Sequence, residues 1–122
     1  MDKLRALRGA ITIPEDTADE VIAATRELLQ ELMTQNNITS DDLVSLIFTV
    51  TPDIKSEFPA VAARQLGLVD TPLMCAQEIA KTGALPLCIR VLIHFYTPLS
   101  KSELKPVYLR EAVRLRPDLA AN

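Results

Sequence analysis

Residues 87–96 read LCIRVLIHFY, and this stretch sets the class of fold that we expect for the chain. It is the most strand-prone segment, because its β-branched and aromatic residues favour a pleated, half-buried surface. One charged residue, Arg90, interrupts the apolar run. An unpaired guanidinium buried among apolar side chains is costly, so Arg90 must meet a carboxylate, a ligand anion or water.

On either side of this strand, the sequence predicts one long helix and several shorter elements. Thr17 and Glu20 stand in capping-box spacing, and apolar residues then recur at helical intervals as far as Asn36–Asn37. The remaining elements are predicted strands at residues 4–13, 46–50, 71–75 and 107–109, a helical turn at 39–42 and a short helix at 59–67. This order predicts the α+β class, with a mixed β-sheet and helices on one face.

Length and composition indicate one globular domain. The chain has 122 residues, of which 48% are hydrophobic and 24% charged, with a formal charge of −3. We therefore expect a single domain over residues 1–122. We expect no nucleic-acid partner, because the balance is acidic and no Lys/Arg block occurs, and no membrane crossing, because no apolar run approaches the ~20 residues required.

The cysteines and the N-terminal residues indicate the cellular compartment and whether the chain binds a metal. The start, MDKLRALRG, is too polar for a secretory signal, so we expect a cytoplasmic protein in which Cys75 and Cys88 are free thiols. Their spacing matches no zinc pattern, and the chain has one histidine. We therefore expect no metal site.

Several polar residues in or beside apolar segments are candidates for a site. Arg8 poses the same question as Arg90, and a planar guanidinium holds a carboxylate with two hydrogen bonds. Either arginine can instead pair with Glu78 or lie in solvent on an edge strand. Glu78, at a strand end, is either a functional group or a plain ion-pair partner. Tyr108 can donate its hydroxyl to an anion or pack with its tip in water.

Two further residues share the predicted face of Arg90. Cys88 is expected to be a buried structural thiol, although it can also form a small pocket wall, and His94 is expected to be structural. The sequence offers no nucleophile paired with a base and no phosphate-binding loop. Guanidinium groups held in apolar strands suit catalysis by placement and electrostatic field.

Five motifs follow one another along the chain: LRGAIT at 7–12, FTVTPD at 48–53, CIRV at 88–91, VYL at 107–109 and LRPDL at 115–119. In content and spacing the chain resembles the small trimeric α+β chorismate mutases. The resemblance implies a pseudo-barrel homotrimer with active sites in clefts between adjacent subunits. It also implies a cofactor-free [3,3] Claisen rearrangement of chorismate to prephenate, on the route to phenylalanine and tyrosine.

The resemblance also assigns roles to residues. In that family the arginine matching Arg90 faces the ether oxygen and a substrate carboxylate, and the one matching Arg8 binds a carboxylate. Residues matching Glu78 and Cys75 meet the ring hydroxyl, and the tyrosine matching Tyr108 touches a carboxylate. Four residues match apolar walls of the family's site: Phe58, Ala60, Leu73 and Leu115. Arg116 matches a basic residue of the mobile tail that helps to cover the site.

Two positions and one residue pair depart from the family pattern. Val61 stands where some members have lysine, which removes a cation from the cleft mouth. Met74 stands at a threonine position and is expected to contribute backbone or apolar contact. Lys105–Pro106 replaces a more usual basic pair. The alternative function is a trimer that binds a small carboxylate at its subunit interface, or an enamine/imine deaminase of similar shape, because arginine-lined clefts serve such proteins too.

Overall fold

The structure is a computed structural model, and it describes residues 1–116 of the chain. Within these residues the strands are β1 (Lys3–Thr12), β2 (Leu43–Val50), β3 (Leu73–Gln77), β4 (Cys88–Thr97) and β5 (Val107–Leu109). The α-helices are α1 (Ala18–Gln35) and α2 (Ala60–Gln65), and short 3₁₀ helices cover Ser40–Asp42, Lys101–Glu103 and Arg110–Leu115. The last three residues of the LRPDL motif lie outside the described residues.

The strands form one mixed sheet in the order β3-β2-β4-β1-β5. At its centre β4 pairs antiparallel with both β1 and β2, whereas β5 and β3 run parallel to β1 and β2 at the two edges. Both α-helices pack their buried residues into the main apolar core on one face of this sheet. The predicted α+β class, with helices on one face, is confirmed.

Strand β4 shows how this sheet divides its residues between two faces. Ile89, Val91, Ile93 and Phe95 are almost fully buried, and they face the helices. Because side chains alternate along a strand, the residues between them project from the other side. We call that side the open face, and it carries Arg90.

Helix α1 begins where the sequence predicts, because Thr17 Oγ1 accepts a hydrogen bond from the Glu20 backbone N–H at 3.2 Å. Its apolar stripe packs closely on β1 at Gly9. A Cβ atom at Gly9 would lie 2.7 Å from Leu32 Cδ1 and 3.0 Å from the Val107 carbonyl oxygen. Only glycine therefore allows this approach beside Arg8. Across residues 1–116, no helix combines the length and apolar character that crossing a bilayer requires.

Two strands begin more than one residue away from their predicted starts. Strand β2 begins at Leu43 rather than at residue 46, and an irregularity in its pairing with β4 between Leu43 and Ser45 hides the alternation that would reveal its start. Strand β3 begins at Leu73, after Pro72, which has no N–H to donate to a ladder. Strand β3 extends to Gln77, because its parallel pairing with β2 continues as far as Val50.

Candidate active site

The open face of the sheet brings the predicted arginines together. Thr49, Arg90, Ala10 and Tyr108 are register partners on β2, β4, β1 and β5, so they form one row across the sheet. Arg8 lies on the same face of β1, two residues before Ala10. Strand register therefore places two guanidinium groups and a phenol side by side.

A cavity of about 220 Å³ opens among these side chains. We call it the arginine cavity; its lining includes Arg8, Arg90, Tyr108 and Thr49, with apolar Ile47 beside them. Its charged lining residues are both arginines, so the cavity is suited to a compact ligand with more than one carboxylate.

Glu78 holds Arg90 in place. Arg90 Nε lies 3.2 Å from Glu78 Oε1, and the Thr49 hydroxyl donates to Glu78 Oε2 at 3.1 Å. The Glu78 side chain is 18% exposed and the Arg90 side chain 45%, so the guanidinium extends outward from a partly buried carboxylate. Because the close contact is made by Nε, the terminal nitrogens of Arg90 keep donors for a ligand.

Glu78 is itself fixed by the sheet. Its backbone N–H donates to the Val50 carbonyl at 2.9 Å, which continues the pairing of β2 with β3 by one residue. Arg90 therefore both pairs with Glu78 and lines a cavity. The sequence left open whether Arg90 pairs with a carboxylate of the chain or meets a ligand anion, and this geometry is compatible with both. Thr49 was not predicted for the site, because the feature that marks it is its register with Arg90, which the sequence does not show.

Cys88 is fully buried in a small cluster beside the arginine cavity. Ala10 and Ala112 are buried with it, and Tyr108 and Leu115 pack against them. Burial raises the pKa of the Cys88 thiol to about 11, despite the opposing effect of a nearby guanidinium. Cys88 is thus a buried, neutral thiol, and Leu115 covers it from the 3₁₀ helix Arg110–Leu115.

We predict that Cys88 makes the protein lose stability at alkaline pH. Burial raises the pKa of the Cys88 thiol from 9.0, its ordinary value, to about 11 in the folded protein. The corresponding stabilisation is complete below pH 9 and is lost as the pH rises towards 11. Relative to Cys88→Ala, the native protein should lose about 2 kcal/mol of unfolding free energy between pH 8 and pH 10.5, measured by denaturant titration. A difference that stays constant with pH would contradict this.

A second group of predicted residues lies elsewhere. Phe58 and Cys75 line a cavity of about 300 Å³ at the β3 edge of the sheet, which we call the edge cavity. Cys75 pairs with buried Phe48 and packs against the core on the helix side. Its side chain therefore lies on the opposite face of the sheet from Arg90, so the residues of the two cavities face different sides of one chain.

The loop that carries Phe58 is held by Asp16. The Asp16 carboxylate accepts hydrogen bonds from the Lys55 N–H at 2.9 Å, the Ser56 N–H at 3.1 Å and the Ser56 hydroxyl at 2.6 Å. The Ser56 hydroxyl, foremost among these, holds the pKa of Asp16 below its ordinary value. Lys55 also lines the edge cavity, together with Glu57, so this cavity contains a cation that the sequence did not predict.

The other predicted residues contribute in different ways. Ala60 is buried in α2, and Leu73 is half-buried against the core. Met74 is 63% exposed, and it projects from the open face at the edge of the sheet. Arg116 is half-buried at the end of the described residues. The structure thus groups Arg8, Arg90 and Tyr108 around one cavity, with Glu78 paired to Arg90. Leu115 packs in the cluster that Tyr108 joins, whereas Phe58 and Cys75 line the edge cavity.

Residues 1–116 contain no group of three or more His, Cys, Asp or Glu side chains that could hold a metal ion.

Comparisons with known proteins identify the family of this chain. The family model for type I chorismate mutase matches residues 4–119. A chorismate mutase AroH from Thermus thermophilus is 50% identical over 117 residues, which is 95% of this chain and 96% of that protein. Chorismate mutase AroH from Bacillus subtilis strain 168 is 38% identical over 118 residues, covering 96% of this chain and 93% of that protein. A solved chorismate mutase from Clostridium thermocellum superposes with a TM-score of 0.88 at 47% identity, covering 88% of this chain and 96% of that one.

Proposed function

Because the chain belongs to the type I chorismate mutase family, whose members convert chorismate to prephenate in aromatic amino-acid biosynthesis, we propose that its substrate binds in the arginine cavity. The observation that carries this proposal is the placement of Arg8 and Arg90 beside Tyr108 in one recess, with Arg90 tethered through Nε. Family membership also favours the mutase over the alternative carboxylate-binding protein or deaminase.

Arg90 is the proposed catalytic group. In the rearrangement the C–O bond breaks ahead of full C–C bond formation, so negative charge collects on the ether oxygen in the transition state. A guanidinium already held in place stabilises that charge without reorganising, and it acts more strongly on the transition state than on the substrate. The Glu78 contact and the rigid centre of the sheet supply this fixed position. The step needs neither an acid nor a base.

Arg8 and Tyr108 are proposed to orient the substrate. Chorismate is a flexible dianion, and it reacts only in a compact, diaxial conformation. A guanidinium and a phenol hydroxyl on the same open face can each hold a carboxylate, and orientation of this kind lowers the barrier substantially. Glu78, whose carboxylate already accepts from Thr49, is proposed to accept from the ring hydroxyl of the substrate.

A complete site is proposed to require a second copy of the chain. Arg90 and Cys75 face opposite sides of the sheet, so the edge cavity of one subunit must meet the arginine cavity of another to form one cleft. The open face supports this assembly, because Leu4, Met74 and Tyr96 are 53%, 63% and 49% exposed on it. An uncovered apolar sheet face of this kind is typical of an interface. We propose a homotrimer in which each cleft lies between neighbouring subunits.

In this proposal the chain acts as one catalytic domain over residues 1–122, without a cofactor. A cytoplasmic location is also proposed, because Cys75 and Cys88 are both free thiols, as is usual in a reducing compartment.

A direct assay tests the proposed function. Purified protein is added to chorismate, and loss of the substrate's ultraviolet absorbance is followed together with the appearance of prephenate. We expect saturable turnover without added metal or cofactor. A protein that binds chorismate but leaves its absorbance unchanged would refute the proposal and favour a binding role.

A further inference from the structure

The residue that precedes strand β4 has an unusual backbone conformation. Leu87, the residue directly before β4, has a φ of 51°. Residues with a Cβ rarely adopt this left-handed region, and glycine is the usual choice there. The residue lies three positions before Arg90, so its conformation sets the direction in which β4 begins.

A side-chain network holds Leu87 in this conformation. The Asp53 carboxylate accepts the Leu87 N–H, at 3.0 Å to Oδ2 and 3.2 Å to Oδ1. The buried Thr51 hydroxyl donates to Asp53 Oδ1 at 2.6 Å and accepts the Cys88 N–H at 3.0 Å. On the other side, the Leu87 carbonyl accepts the Ile13 N–H at 2.9 Å. Hydrogen bonds to a charged carboxylate are the stronger kind, so Asp53 is the main tether of this turn.

The network reaches the site through the first residues of β4. Cys88 pairs with Thr12 and Arg90 pairs with Ala10, so any rotation at Leu87 moves this end of β4 against β1. Asp53 does not line the arginine cavity; it lines a separate recess that it shares with Glu78, and its proposed effect on Arg90 is exerted through Leu87.

We propose that Asp53 is a positioning residue for the rearrangement: by holding Leu87 in the left-handed conformation, it aims Arg90 at the reacting oxygen. This inference rests on the proposed function. It predicts a specific kinetic effect, because Arg90 meets most of its charge in the transition state. Loss of the Asp53 tether should lower kcat per folded protein and leave KM nearly unchanged. A merely structural defect would lower kcat only in proportion to the folded fraction, which circular dichroism measures.

The test compares four variants with the native protein. Asp53→Ala removes the acceptor, and kcat should fall about 10-fold or more while KM changes less than about 3-fold. Asp53→Asn keeps an acceptor oxygen, and it should retain most of the activity. Leu87→Gly, added to Asp53→Ala, should restore much of kcat, because glycine adopts a positive φ without a tether. Glu103→Ala is the matched control: it removes a carboxylate that accepts the Ser100 N–H at 2.8 Å beyond the other end of β4, and kcat should not change.

Three results would overturn the inference: an Asp53→Ala protein with native kcat, a loss of kcat that Leu87→Gly does not relieve, or an equal loss in Glu103→Ala. If Asp53→Ala does not fold, Asp53→Asn and the double variant carry the test. A native protein inert towards chorismate would refute the proposed function, whereas an active native protein with an equally active Asp53→Ala would refute this inference alone.

Discussion

Arg90→Ala is expected to lower kcat by roughly 10³-fold or more, while the protein stays folded and assembled. Removing one donor from a preorganised oxyanion site costs ~10²–10³ in rate, and Arg90 carries a full charge in a recess of about 220 Å³. KM should rise much less, because the ether oxygen gains its charge only in the transition state. Steady-state kinetics with chorismate gives both constants.

Two further variants sharpen this prediction. Arg90→Lys should recover little activity, because an ammonium group cannot reproduce both the Glu78 contact through Nε and the donors directed at the substrate. His94→Ala is the matched control on the same face of β4; His94 contacts Ser45 Oγ through Nδ1 at 3.2 Å and does not line the arginine cavity, so activity should remain. Size-exclusion chromatography and circular dichroism check that each variant is assembled and folded.

Near-normal turnover by Arg90→Ala would rule out the proposed mechanism. A large loss in His94→Ala with the fold preserved would show that this face of β4 carries a catalytic group other than Arg90.

Mixing two inactive variants is expected to restore activity, because the proposed cleft takes its two halves from different chains. Arg90→Ala disables the arginine cavity. Phe58→Asp disables the edge cavity by placing a negative charge near the substrate dianion, and Phe58 is 64% exposed, so the change should be tolerated by the fold. After random reassembly of equal amounts, about one quarter of the clefts should contain both native halves. The mixture should therefore recover roughly a quarter of native kcat per site, measured after denaturation and refolding together.

The matched control mixes Arg90→Ala with Arg8→Ala. Both residues line the arginine cavity of one chain, so no cleft in this mixture regains both arginines and activity should stay low. Recovery in this control, or none in the Phe58→Asp mixture, would contradict a cleft built in this way from two chains.

Much of the fold was predictable from local patterns. Helix α1 follows from the Thr17 cap and a long apolar stripe, and β4 from its dense β-branched and aromatic run. These signals are local, because capping and side-chain alternation act within a few residues. The starts of β2 and β3 were misplaced, since a pairing irregularity and an edge position depend on partner strands distant in the chain.

The candidate site was predictable only in part. Arg90 and Arg8 stood out because a charge in an apolar strand needs a partner. Thr49, Lys55 and Asp53 did not stand out, because nothing in their neighbourhoods along the chain shows that they reach Glu78, the edge cavity or Leu87.

The sequence alone determined the strand-prone segments, the capped helix and the arginines within the strands, because propensity and periodicity are properties of neighbouring residues. The row that aligns Arg90 with Tyr108, and the separation of Arg90 from Cys75 on opposite faces, depended on strand order and register. Those are long-range features: they follow from how the strands pack together, and a one-residue shift in pairing would have moved every side chain to the other face.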